Sequence, residues 1–287
     1  MKAIYRNEIR TYFTTLTGYI FCAFMLLFAG IYTMVICLKQ CYSDFQYVLG
    51  QMSFVFLIIV PIITMRVVAE ERRQRTDQLL YSLPISTTEI IMGKYLALLT
   101  VLLIPLAIIA LFPLLLSSFG KVNMPLAYGS LIAFFFLGAA FLAVGLFISS
   151  VTESQVLAAG ICFAILIVNY FLASIAGTVG IAAYVSLIGF LVLAILIALV
   201  LYLMTKNGFI AIFIGVILLA VLGVLYLKNA SLFEGLFGAF LGKLSLFECY
   251  YNFLDGAFRL KDLIFLLSVC AVFIFLSVQS MEKRRWS

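Results

Sequence analysis

Long apolar runs, each close to the length that crosses a bilayer, decide what this chain is able to fold into. A helix needs roughly 20 mainly apolar residues to cover about 30 Å of hydrocarbon. Runs of that kind recur at Gly18–Leu38, Gln51–Val68, Tyr95–Ser117, Leu126–Ile148, Val156–Ala176, Ile181–Met204, Phe209–Leu227 and Leu263–Val278. Only 10% of the 287 residues are charged and 66% are hydrophobic, whereas about one quarter of a soluble domain is charged. The runs are continuous and lack the alternation that a barrel strand needs to face lipid on one side and a lumen on the other. The expected fold is an all-α polytopic membrane protein with about eight transmembrane helices.

Orientation follows from the cations, because cytoplasmic loops retain Lys and Arg. With the amino terminus inside, Lys2, Arg6, Arg10, Arg66, Arg72, Arg73, Arg75, Lys94, Lys206, Lys283, Arg284 and Arg285 are cytosolic. Lys39, Lys121, Lys228, Lys243, Arg259 and Lys261 are outside, which leaves two-thirds of the 18 cations within. An even number of spans also brings both cationic termini to the same face. The expected protein is multi-pass in the plasma membrane with both termini cytoplasmic, and its net charge of +6 reflects anionic headgroups in the lipid bilayer rather than nucleic acid. The first run exceeds the apolar core of about 7 to 15 residues in a signal peptide and lacks a small-x-small cleavage pattern, so it is expected to be retained.

Absences narrow the chemistry. The chain has no histidine, which excludes Ser-His-Asp and Cys-His sites and removes the commonest metal ligand. It has no Gly-x-x-x-x-Gly-Lys-Ser/Thr loop, so energy from ATP must come from another chain. Carboxylates avoid the span interiors, unlike the midplane acids of ion-driven carriers. The six cysteines form no CxxC pair. Cys37 and Cys41 fit a bridge or a soft-metal pair, or simply small hydrophobic side chains. No catalytic residue, cofactor or metal is expected, and the chain is not read as an enzyme.

Charge gathers in Val68–Lys94, VAEERRQRTDQLLYSLPISTTEIIMGK. Arg66 lies within about a turn of the end of the second run and is placed to snorkel. Beyond it the helix is expected to continue, with Glu70, Glu71, Arg72, Arg73, Arg75 and Asp77 pairing at helical spacing beside Leu79, Leu80 and Leu83. Pro84 stops it. Ser86-Thr87-Thr88-Glu89 has the spacing of a capping box, and Ile85 and Ile90 stand where a hydrophobic staple would. Gly93 permits a turn out and Lys94 opens the next span. The spacing predicts a separate short helix of about one and a half turns, tied at both ends to membrane helices. Either it transmits force as a stiff knob, or it is an amphipathic loop on the inner leaflet.

The sequence Ala69-Glu70-Glu71-Arg72-Arg73-Gln74-Arg75-Thr76-Asp77-Gln78-Leu79-Leu80, then Leu83-Pro84-Ile85-Ser86, then Glu89-Ile90-Ile91-Met92-Gly93-Lys94 resembles the signature of type-2 ABC exporter permeases. The amino terminus Ala3 to Phe13 with Gly18-Tyr19, the stretch Val60 to Arg66, Gly138 to Glu153 and Asp255 to Ile264 are closest to the gliding-motility-type branch. The resemblance implies a transmembrane permease subunit, a separate ATP-hydrolysing subunit in two copies, and a second permease subunit making a homo- or heterodimer. It also implies that the short helix of segment 69–94 docks on the ATPase, with Arg6, Arg10, Glu70, Glu71, Arg72, Arg73, Pro84, Ile85, Ser86, Thr87, Thr88, Glu89 and Ile90 at that interface. The family core has six spans, and 181–227 stands as an extra helical hairpin.

Residues 1–16 read as an amphipathic helix lying in the membrane plane: Lys2, Arg6 and Arg10 recur every fourth residue and Tyr5, Ile9, Tyr12, Phe13 and Leu16 mark an apolar stripe. It anchors the chain, and in similar permeases such an elbow helix also meets the ATPase. In the outer-face segment 228–262, Leu232, Phe233, Leu236, Phe237, Phe240, Leu241 and Leu244 fall at helical spacing and predict one or two short helices. In similar exporters such helices close the exit, which makes Phe233, Phe237 and Phe240 candidates for an outer gate; plain interfacial anchoring uses the same aromatics. Pro61, Pro105 and Pro113 are candidate kinks. Gly138, Ala139 and Gly145 favour close helix contact, and Asn169 is expected to bond between helices.

The reading that unites these features is the membrane subunit of an ATP-driven exporter. A membrane scaffold or sensor that recruits cytosolic partners without transport uses the same charged segment, and a secondary carrier fits the missing midspan carboxylates least. The apolar spans suit a lipid, an amphipathic peptide or a hydrophobic drug, and equally suit contact with lipid alone.

Overall fold

The computed structural model describes residues 1–39, 44–74, 85–178, 182–205, 226, 229, 233–256 and 258–285. It is 86% helical, with no strand among the described residues, and so is all-α. In chain order the helices are α1 (Lys2–Thr14), α2 (Leu16–Thr33, continued by a wider π-helical turn over Met34–Lys39), α3 (Phe45–Met52), α4 (Val55–Thr64), α5 (Ala69–Arg73), α6 (Thr87–Ile109), α7 (Phe112–Ser117), α8 (Met124–Val151), α9 (Gln155–Thr178), α10 (Ala183–Thr205), α11 (Leu236–Leu244), α12 (Leu246–Leu254) and α13 (Leu260–Arg285).

Five of these stretches among the described residues are long and apolar enough to cross a membrane: Leu16–Lys39, Thr87–Ser117, Met124–Val151, Gln155–Thr178 and Leu260–Arg284. A sixth forms if the pair Phe45–Met52 and Val55–Arg73, bent by 50°, is one span. Among the described residues the spans number five or six: the apolar part of α10 described is the shorter Ala183–Ala194, and Phe209–Leu227, the second arm of the predicted hairpin, lies outside the described residues except for Tyr226. The second span also starts earlier than Gln51 and is broken at Ser53–Phe54 rather than at Pro61. Ser53 turns its hydroxyl onto the Gly50 carbonyl at 2.6 Å, a local bond that competes with the helix and bends it.

The chain divides into two compact units, Met1–Val168 with Cys249–Ser287, and Asn169–Glu248. Helix α8 is the axis of the first, with 72% of its apolar window buried; α13 runs along it, and α3, α4 and α6 pack against it. Lipid is as apolar as these side chains, so close packing rather than escape from water holds the helices together. Phe56 stacks on Phe134 at 4.4 Å and meets Phe141 edge-on at 6.2 Å. Gly145 lets α4 come in, because a Cβ there would collide with the Thr64 side chain. Tyr95 donates to the Ala139 carbonyl at 3.1 Å, and Ser280 to the Ser150 carbonyl at 3.1 Å.

Chain direction brings both termini to one end of this unit. There Thr87, at the start of α6, donates to the Glu282 carboxylate at 2.8 Å, and Arg284 pairs with Glu153 at 3.0 Å.

In the unit Asn169–Glu248, the amide of Asn169 bonds between helices as expected. Its oxygen accepts from the Leu246 amide at 3.1 Å and its nitrogen donates to the Leu244 carbonyl at 3.3 Å, joining α11 to α12. These are the two short helices expected ahead of the last span. Phe190 of α10 gathers Phe233, Phe237 and Phe240 around its ring at 6.4, 5.2 and 5.8 Å.

Candidate functional site

At the end of unit Met1–Val168 that holds the termini, three chain segments converge on one lysine. The Lys94 side chain is 1% exposed, and its Nζ lies 2.6 Å from Glu8 Oε1 of α1 and 2.6 Å from Glu71 Oε1 of α5. It also donates to the Val67 carbonyl at 2.9 Å. An ammonium has three donors, and here each reaches a different acceptor. One lysine thus clasps α1, the corner between α4 and α5, and α6. Removing one partner from a buried ion group of this kind leaves charge uncompensated and costs about 3–5 kcal/mol.

Neutral contacts back the clasp. The Ser149 hydroxyl of α8 accepts both the Val68 and the Ala69 amides at 3.1 Å, satisfying donors that the start of α5 would otherwise leave open. Tyr5 bonds Thr100 at 2.9 Å, and Gly93 gives α1 room, since a Cβ there would stand 3.2 Å from Ile4 Cγ2. Tyr12 is buried beside the acidic groups. Desolvation first, then the negative field of Glu8, Glu71 and Glu70, pushes its phenol well above the usual value, so it stays protonated.

This geometry corrects the expectation of a separate short helix. Ser86 caps as predicted, its hydroxyl accepting the Glu89 amide at 3.3 Å, but α6 then runs unbroken to Ile109. Between Thr87 and Ile104 no proline interrupts it, and one internal glycine costs only about 1 kcal/mol. Gly93 thus serves as a contact, not a turn, and Lys94 is a buried tie and not a surface cation opening a span. Helix α1 packs on α6 and α2.

The predicted interface residues divide by exposure. Arg6, Arg10, Arg73, Ser86, Thr88 and Glu89 are exposed, and Glu70, Glu71 and Ile85 are half-buried. Arg72, Thr87 and Ile90 are buried at 7%, 4% and 1%, so these three support the surface from below. Pro84, the helix end it predicts, and Arg75, Asp77, Leu79, Leu80 and Leu83 lie outside the described residues, as do Cys41 and Lys206. Cys37 is a free thiol.

Sequence reasoning placed Glu8 and Lys94 on the cytosolic side and missed their meeting. The signal was present: Ile4, Glu8 and Tyr12 fall four apart on one helix face, so an acid sits within the face that α1 buries.

A family profile described as ABC-2 family transporter protein matches residues 2–285. The chain belongs to the ABC-2 transporter family. Comparison with curated proteins gives no match. As an ABC-2 protein it is a membrane-embedded permease subunit of an ABC transporter that works with ATPase subunits in a membrane.

Proposed function

We propose that this ABC-2 permease is the membrane subunit of an exporter of the gliding-motility type, in which ATPase motion enters through Ser86, Thr88 and Glu89 at the exposed start of α6. The carrying observation is the Lys94 clasp. A push on the first turn of α6 travels along an unbroken helix to Ile109 and through Lys94 into α1 and the α4–α5 corner. Three elements would then shift as one body, biasing the bundle between inward- and outward-open states. Arg6, Arg10, Glu70 and Arg73 extend the docking surface around the same end, while Glu71, Arg72, Thr87 and Ile90 hold it from beneath and Ile85 leads into it. In this reading the end with both termini is cytoplasmic, the membrane is the plasma membrane, and two permeases pair over two ATPase copies. Phe233, Phe237 and Phe240, gathered on Phe190, form the outer gate.

The test is association with the ATPase subunit isolated from native membranes with the permease. Glu89→Lys reverses charge on an exposed position and should abolish co-purification and stimulated ATP turnover, while Lys121→Glu should leave both intact. Undiminished association of Glu89→Lys and of a Thr88→Trp variant would remove the first turn of α6 as the docking point.

A further inference from the structure

Beside the clasp lies a cavity of about 260 Å³ between α1 and the α4–α5 corner, several times the roughly 30 Å³ that one water takes up in the liquid. The exposed Arg66 lines it together with Glu8, Glu70 and Glu71. Glu8 and Glu71 already share Lys94, whereas Glu70 accepts a long 3.4 Å bond from the Gln74 amide. Three carboxylates against Lys94 and Arg66 leave one net negative charge. A purely anionic guest would add to that repulsion. A zwitterion would not, since it sets an anionic oxygen on the guanidinium and an ammonium on the carboxylate.

Thr17, Ile62 and Ile63 line this cavity and also a second, apolar slot of about 60 Å³ between α2 and α4. Ile20, Phe21 and Phe24 form one wall of the slot and Ile59 continues the other. Both helices belong to apolar stretches of membrane-crossing character, so the slot lies at the depth of acyl chains while the charged cavity lies at the depth of headgroups.

We propose that the joined cavity and slot bind one phospholipid with a zwitterionic, amine-bearing headgroup. Arg66 holds the phosphate, Glu70 the ammonium, and an acyl chain lies along the slot between α2 and α4. The bound lipid braces α1 against the α4–α5 corner. This inference concerns a resident lipid; it shares Glu70 with the ATPase-docking reading but does not rest on it, since it needs only that α2 and α4 stand in a bilayer.

Native mass spectrometry of the full chain released from nanodiscs with equal phosphatidylethanolamine and phosphatidylglycerol tests it. One phosphatidylethanolamine should be retained at about fivefold over phosphatidylglycerol, the ratio given by one ordinary headgroup charge contact. Arg66→Gln should lower its retention by about the same factor. Ile62→Trp should fill the slot and remove the lipid, while Ile58→Trp on the same helix should not. Ile62 and Ile58 are 46% and 38% exposed, so tryptophan at either is compatible with folding. Equal retention of the two lipids, or retention unchanged in both Arg66→Gln and Ile62→Trp, would overturn the proposal. So would displacement by an equal concentration of glycerophosphoethanolamine, which carries the headgroup without chains and would mark a site for a soluble zwitterion. Loss of the lipid from the assembled permease dimer would equally overturn it, by showing that protein covers the site.

Discussion

The two ends of unit Met1–Val168 are held by different physics. Where the termini meet, Lys94, Glu8 and Glu71 lock three elements through charge, and Thr87–Glu282, Ser149 and Arg284–Glu153 add directed bonds. At the opposite end α3 and α12 are held mostly by rings and shape. Phe45 and Tyr250 are fully buried, Tyr250 leans on Phe134 at 6.0 Å, and Gly50 admits the Leu254 side chain. Asn252 donates to the Asp262 carboxylate there at 3.1 Å. Charge and hydrogen bonds have fixed partners and directions, so the clasped end is expected to move as one piece. Packed apolar helices shift by small sliding, so in the proposed exporter the opposite end is the one expected to open and close.

The largest effect should come from Lys94→Met, which leaves Glu8 and Glu71 facing each other in a buried site. Thermal unfolding in nanodiscs should show a loss of about 3–5 kcal/mol, and adding Glu8→Gln and Glu71→Gln should recover most of it. If Lys94→Met unfolds like the wild type, the two ends do not differ in the way described.

Ser149→Ala should come next. It strands two amides at the start of α5, at about 1–3 kcal/mol, and hydrogen exchange should rise at Val68 and Ala69 before anywhere on α8. Exchange that rises evenly along the helix would place the bond among ordinary packing contacts.

Much of the fold was legible, because a span is announced by its length and lack of charge. Leu16–Lys39, Thr87–Ser117, Met124–Val151, Gln155–Thr178 and Leu260–Arg284 each contain or closely overlap the apolar run read from the sequence. The Ser86 cap was legible too, since its partner is three residues away. The clasp was not. Lys94 meets Glu8 and Glu71 across 86 and 23 residues, and a lysine at the edge of an apolar run has the pattern of a snorkelling surface cation. Gly93 carried a similar ambiguity, because glycine serves both as a helix exit and as a place for another helix to approach, and only the position of Ile4 decides between them.

The smallest effect belongs to the opposite end. The Tyr250 hydroxyl is buried with no hydrogen-bond partner among the described residues, so Tyr250→Phe removes an unmet polar group and keeps the ring. Stability should stay within about 0.5 kcal/mol or rise slightly. A loss of more than about 1 kcal/mol would mean a directed bond operates there too, and the contrast between the ends would weaken.

Whether the clasped end moves as one piece is most directly measured with pairs of spin labels at Asn7 of α1, Gln74 just past α5 and Met92 of α6, none of them assigned to the docking surface, in the permease reconstituted with its ATPase, with and without ATP. A rigid end keeps all three label distances unchanged between nucleotide states, and the Glu8→Gln, Lys94→Met, Glu71→Gln variant broadens them. A nucleotide-dependent shift of the Asn7 label relative to the Met92 label in the wild type would contradict a clasp that carries α1, α5 and α6 together.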